Sequence, residues 1–304
     1  MNEVSAEPAG QSFWVDGHQI PAKAQEHGLY IVATPIGNLG DITLRALNVL
    51  AAADLVACED TRVSAVLLRH FGISARLIAY HDHNGAEQRP KLLAALAEGK
   101  VVALISDAGT PLISDPGYRL VVAAQAAGHR VVPIPGASSV LAALVASGLP
   151  SDRFLFAGFL PPKHAARVKR LEELAAVPAT LVVFETGPRL GDALADMAAV
   201  LGAREATVAR ELTKRFETIR SGALAAVAAE FADNPPKGEI VVVVGPPAAE
   251  ATSAADADRL LVDLLREKSV GEAASEAAAM TGLKRNDLYR RALALKTADD
   301  AGNR

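Results

Sequence analysis

One cysteine, Cys58, stands in the 304 residues, so no disulfide can form within the chain and the composition suits a reducing compartment. No apolar run approaches the roughly 18 residues that span a bilayer. Residues 1–27 lack the basic start and apolar middle of a secretion signal. With Glu3, Glu7, Asp16 and scattered prolines and glycines, they read as a flexible tail on a cytoplasmic protein. Positive charge is also in short supply. Thirty-one Lys and Arg against 35 Asp and Glu give a net charge of −4, which excludes a uniformly basic coat, so any contact with nucleic acid must use local patches.

What the chain does have is alternation. With 50% hydrophobic and 22% charged residues it reads as globular, and its length suggests two domains plus an appendage. Short β-branched runs at 29–33, 54–58, 76–80, 101–105 and 130–134 are separated by helix-length amphipathic stretches. That pattern predicts a mostly parallel sheet with helices on both faces over residues 28–147. The turn cluster SGLPSDRF opens a second α/β set at 148–246. There two closely spaced strands flank Leu212–Arg215 as an antiparallel hairpin, so the second sheet is expected to be mixed. A Pro/Ala/Ser linker at 247–257 leads to three short helices at 258–298, with Thr281-Gly282-Leu283 as the turn of a helix-turn-helix-like layout.

The most informative segment is ISDAGTPLISDPG, residues 105–117, which follows the apolar run VVALI. A buried strand here delivers a stiff polar loop at its carboxyl end, where open α/β sheets bind ligands. The loop lacks the three glycines that cradle a pyrophosphate and the lysine that meets a triphosphate. Its aspartates and open carbonyls suit a ligand carrying positive charge. The segment IVATPIGNLGDIT at 31–43 repeats the layout, with a helix opened by Asp41, and PIPGASS at 133–139 ends a third strand.

These three loops resemble those of the tetrapyrrole methylase superfamily. CEDTR (58–62), HDHN (81–84), GFLPPK (158–163) and ARELTKRFE (209–217) narrow the resemblance to the ribosomal small-subunit methyltransferase I family. The resemblance implies two α/β domains with S-adenosylmethionine folded into the cleft between them, a C-terminal helical extension, and a homodimer. It implies 2′-O-methylation of a cytidine in 16S rRNA, free or in the assembled small subunit. Carried onto this chain, the donor-binding positions are Pro35, Gly37, Asp107, Ala108, Gly109, Thr110, Ile113, Pro135, Gly136, Ser138 and Ser139 in the first domain. In the second domain they are Glu185, Leu212 and Gly238. Where relatives commonly carry a tyrosine and a histidine, this chain has Phe184 and Pro188.

A ribose hydroxyl is a weak nucleophile, and a general base facing the cleft adds roughly 10²–10⁴-fold. Glu59, Asp60 and Glu185 are the candidates in that order, each near a strand end. Glu59 and Asp60 with Arg62 serve equally well as an ion-pair cluster fixing a helix start. Glu211, flanked by Arg210 and Lys214, reads as structural. His81 and His83 lack the further ligands of a metal site, so no metal is expected, and the loop of His83 and Asn84 is left to contact RNA or a partner subunit. The expected phosphate contacts are Lys163, Arg167 and Lys214 on the second domain and Arg290 and Arg291 on the last helix. Phe159 is either a core residue or a stacking surface for an unpaired base. The rival readings are a small-molecule methyltransferase on the same fold and a DNA-binding regulator. Nine basic and nine acidic side chains in 256–304 weaken the second.

Overall fold

The computed structural model describes residues 11–233, 235–248 and 254–302. The first sheet holds β3 (Gly28–Val32), β4 (Leu55–Cys58), β5 (Leu77–Ala79), β6 (Val101–Ile105) and β7 (Val131–Ile134), all parallel, in the order β5-β4-β6-β3-β7. β6 is buried along its whole length, and its residues divide with the period of a strand. Val101, Ala103 and Ile105 join Leu47, Leu50 and Leu67 of α1 (Leu44–Ala52) and α2 (Thr61–His70) on one face. Val102 and Leu104 join Leu92, Leu96 and Leu120 of α3 (Gly85–Ala97) and α4 (Tyr118–Ala126) on the other. The loops after the neighbouring strands β3 and β6 therefore lead to opposite faces and leave a crevice at their carboxyl ends.

The second sheet is mixed. β8 (Phe154–Phe159), β9 (Thr180–Thr186), β10 (Glu205–Arg210), β11 (Thr218–Ala223) and β12 (Glu239–Val244) lie in the order β11-β10-β12-β9-β8, and only β8 and β9 are parallel. Ile240, Val242 and Val244 face α6 (His164–Ala175), α7 (Gly187–Leu201) and α8 (Leu224–Glu230). Val241 and Val243 face the other way, onto Val140, Ala143 and Leu144 of α5 (Ser139–Ser147). The last helix of the first domain thus covers the open face of the second sheet, and the two domains share a core that fixes the cleft between them.

Two expectations fail here. Residues 12–21 are no flexible tail: β1 (Ser12–Val15) and β2 (His18–Pro21) form a hairpin that buries Phe13 to 2% exposure, with the Trp14 ring over Gly72. The overlooked signal is Asp16-Gly17, both at positive φ, the pair a two-residue hairpin turn demands. Residues 1–10 lie outside the described residues. Asp41 does not open α1 either; it closes a 3-10 turn, and Thr43 caps the helix through Ala46 N.

Three C-terminal helices, α9 (Ala254–Leu265), α10 (Val270–Thr281) and α11 (Arg285–Gly302), close on their own core of Leu261, Ala274, Ala277, Leu288 and Ala292. Ser269 and Glu272 form a reciprocal capping box, and Gly282 ends α10 in the left-handed region. Helix begins at residue 254, inside the expected linker, and continues four residues past 298. Among the described residues no helix is long and apolar enough to cross a membrane.

Candidate active site in the cleft between the sheets

The crevice holds a cavity of about 280 Å³ walled by loops of the first domain and strand ends of the second. Its first wall is lashed together by hydrogen bonds between loops. Thr34 N donates to Gly109 O at 2.9 Å and Gly109 N to Thr34 O at 3.0 Å, while Thr34 Oγ1 donates to Ser106 O and Thr110 Oγ1 to Ala137 O. Gly109 sits at φ 80°, and Leu112 and Ser114 also lie at positive φ. A non-glycine residue held there stores strain, which the lashing sustains.

Nine of the residues expected to hold the donor line this cavity: Ala108, Gly109, Thr110, Ile113, Ser138, Ser139, Glu185, Leu212 and Gly238. Five do not. Pro35 is buried and Pro135 exposed away from the cavity, Gly136 packs on Ala33, and Gly37 lies beneath the Lys214 stem. Asp107 turns toward a neighbouring depression, where its Oδ1 accepts from Asp60 N at 3.1 Å. The expectation missed Asp115, Phe159, Phe184 and Glu239, all of which line the cavity. Asp115 was visible in the ISDPG segment; the other three are placed by strand pairing, which the sequence does not display.

Glu185 is 2% exposed at the cavity wall, with Arg189 Nη2 at 3.0 Å from Oε1 and Thr186 N donating to Oε2. Burial pushes its carboxyl above the usual range, against the pull of that N–H and of Arg189. Burial also pushes Asp115 up to about 6, and the nearby charges of Glu59 and Asp107 add to the effect against a hydrogen bond from Ser106. Glu59 opens on the adjoining depression with Asp60, Arg62, His81, His83 and Asp107. Its carboxyl is raised by burial first, then by Asp107 and Asp82. Asp60 behaves differently: it caps α2 through Arg62 N and chelates the Arg62 guanidinium, which holds it down to about 2. Asn84 accepts from His81 N and donates to Ala79 O, so its amide closes the turn that leads into α3.

The sequence profile of the tetrapyrrole (corrin/porphyrin) methylases matches residues 28–228, and that of the RsmI C-terminal HTH domain matches residues 251–296. The ribosomal RNA small subunit methyltransferase I of Mesorhizobium japonicum is 61% identical, over 94% of this chain and 98% of its own length. Its counterpart in Pseudomonas aeruginosa is 52% identical, over 87% and 96%. The chain belongs to the ribosomal RNA small subunit methyltransferase I family. Solved structures of a cobalamin biosynthetic enzyme, cobalt precorrin-4 methyltransferase (TM-score 0.55, 20% identity, 71% of this chain and 94% of that one), and of diphthine synthase (0.56, 19%, 71% and 89%) share the fold. At such identity they speak for the fold alone.

Within this small-subunit methyltransferase I frame, three of the expected phosphate contacts are redirected. Arg167 is 4% exposed and gives its Nε to Asp196 Oδ2 at 2.6 Å and its Nη1 to Pro162 O, so it ties α6 to α7. Lys214 reaches Glu211 Oε1 and Glu239 Oε2, both at 3.0 Å, and lies across Gly37 as a strap between the domains. Arg291 pairs with Asp258, joining α11 to α9. Lys163 and Arg290 remain exposed, the latter in a pair with Asp287. Glu211, at φ 52°, accepts from Lys214 and from Glu239 N, and its carboxyl is held below the usual range.

Proposed function

We propose that this protein moves a methyl group from S-adenosylmethionine to the 2′-hydroxyl of a cytidine in 16S rRNA, in the cytoplasm and as a homodimer. The observation that carries the reading is near-full-length identity, running through both the cleft domains and the helical module, to enzymes named for small-subunit rRNA methylation. A small-molecule acceptor gives no reason for that module.

The cavity fits such a donor. Backbone at Gly109, where a Cβ would press on Ile36 at 3.3 Å, leaves room for close approach. Ser138 and Ser139 start α5, whose free N–H groups and dipole suit a carboxylate. Asp115 sets negative charge against a cationic centre, and Glu185, neutralised by Arg189, lines the same cavity. When bound, the donor supplies an electrophilic methyl on a sulfonium, and the rest of the task is alignment. The hydrogen-bonded wall would hold donor and acceptor side by side, which shortens the search for a reactive geometry.

Among the three candidate bases the geometry favours Glu59. Asp60 is committed to the helix cap and Arg62, and Glu185 is buried against Arg189. Among the described residues Glu59 has no charged partner within bonding distance, and its raised affinity for a proton suits a base. In this scheme Glu59 would accept the 2′-OH proton as that oxygen is methylated, and the donor, when bound, would supply the methyl group and keep the carbon–sulfur electron pair. Displacement at a sulfonium carbon asks for no Lewis acid, so we assign the reaction no metal.

Tritium-methyl transfer to unmethylated 30S subunits, free 16S rRNA and uroporphyrinogen tests the reading: label is expected in the ribosomal substrates alone. Donor affinity measured without RNA should survive exhaustive EDTA treatment. Transfer to uroporphyrinogen, or donor binding restored only by a transition metal, would overturn the corresponding part.

A further inference from the structure

Strand β8, FLFAGF, contains an irregularity with a directional consequence. Its pairing with β9 jumps from Phe156↔Val182 to Gly158↔Val183, so Ala157 is an extra residue, and Gly158 takes φ 67°. In an unbroken strand Phe159 would lie on the same side as Leu155 and Ala157, which pack into the core beneath α6 and α7. The bulge reverses that side and swings Phe159 onto the cleft face, the face of Phe156. There Phe184 supports it at 5.5 Å between ring centroids, edge to face, and Phe156 supports Phe184 at 4.8 Å.

The outcome is an aromatic ring left 52% exposed at the cleft when a buried side was one residue of register away. β8 is also the edge strand of its sheet, so the exposed Phe159 stands at the open side of the cavity that it lines together with the buried Gly109 and Val241. The exposed Lys163 follows on the same segment, at the cap of α6.

We propose that Phe159 is the platform on which the base of the acceptor nucleotide stacks, drawn out of the RNA, while its ribose reaches into the cleft. The inference rests on the rRNA-methylating reading. A base bound to the ribose being methylated must lie within one nucleotide of the donor methyl, and a supported ring at the mouth gives it a flat, sequence-tolerant surface.

The test compares wild type with Phe159→Ala, Phe159→Leu and Phe159→Trp. Methyl transfer to unmethylated 30S subunits gives kcat and KM, calorimetry gives S-adenosylmethionine affinity without RNA, and thermal melting reports folding. Stacking is worth about tenfold per base. The expected result is a loss of about that size in kcat/KM for Phe159→Ala and Phe159→Leu, activity near wild type for Phe159→Trp, and donor affinity unchanged in all three. Equal activity for Leu and Trp would reduce the ring to an apolar wall and overturn the proposal. Weakened donor binding would assign the ring to the donor's adenine instead, with the same consequence. A wild type active on 30S subunits with an equally active Phe159→Ala removes only this proposal. A wild type inactive on every ribosomal substrate removes the functional reading, and this inference with it.

Discussion

Two residues show how the cleft trades stability for a binding surface. Gly109 holds φ 80° with Ile36 against the place of a side chain, so Gly109→Leu adds both backbone strain and bulk at the cavity wall. Calorimetry should find donor affinity lowered by at least about tenfold, with circular dichroism showing the fold intact; unchanged affinity would remove this loop from the donor site. Asp115 has a pH signature. Its carboxyl is raised to about 6, so the folded protein binds that proton more tightly than the unfolded chain does. The stabilisation is fully present below about pH 4, the unfolded value, and is lost as pH rises through 6. Asp115→Asn removes an ionised carboxylate held near Glu59 and Asp107. It should therefore raise Tm at pH 8 and have little effect near pH 4. A Tm gain that is the same at both pH values would show that Asp115 is not the group responsible.

At the scale of elements, the ties between helices and the side each strand shows are tertiary facts. Arg167 looked like a phosphate contact because it stands in a run of cations; its partner Asp196 lies 29 residues away, on the next helix. Removing one partner of a buried pair costs about 3–5 kcal/mol when the other charge is left uncompensated. Asp196 keeps His164 Nδ1 at 3.0 Å, so the lower end, about 3 kcal/mol, applies here. Arg167→Ala should lower stability by about that much in urea unfolding, while the folded enzyme keeps its KM for 30S subunits. A stable variant with a raised KM would return Arg167 to the RNA surface. The strands themselves were legible, because VVALI, LYIVA and EIVVVV are apolar runs of strand length bounded by turns. The three cleft loops were legible through their glycines and prolines. What could not be read was α5, which follows the first sheet in the chain but packs on the second through Val140, Ala143 and Leu144, and the β8 bulge, which exists only relative to β9. The β1–β2 hairpin was readable from Asp16-Gly17, but its two strands are only four residues each and stand among charged, proline-dotted sequence that carries no apolar run.

For the molecule as a whole, division of labour is the remaining question: the two α/β domains meet in a shared cluster of Ile36, α5 and the second sheet, whereas the helical module has a core of its own. Its cations are of two kinds. Arg291 is tied to Asp258 across the module, so Arg291→Glu sets two like charges together and should lower the module's helicity and melting temperature. Lys284 and Arg290 are exposed, and Arg290 pairs only weakly, at the surface, with Asp287 three residues before it. If the module engages rRNA, these two meet phosphate, and removing either cation reduces the slope of log affinity against log salt by about one. Lys284→Glu with Arg290→Glu should therefore raise KM for 30S subunits and flatten the salt dependence, leaving donor affinity and Tm as in wild type. The alternative is that α11 packs against a partner subunit. Sedimentation would then show the double variant dissociating while its salt slope stayed at the wild-type value, and RNA engagement would pass from the module to the rim around Lys163.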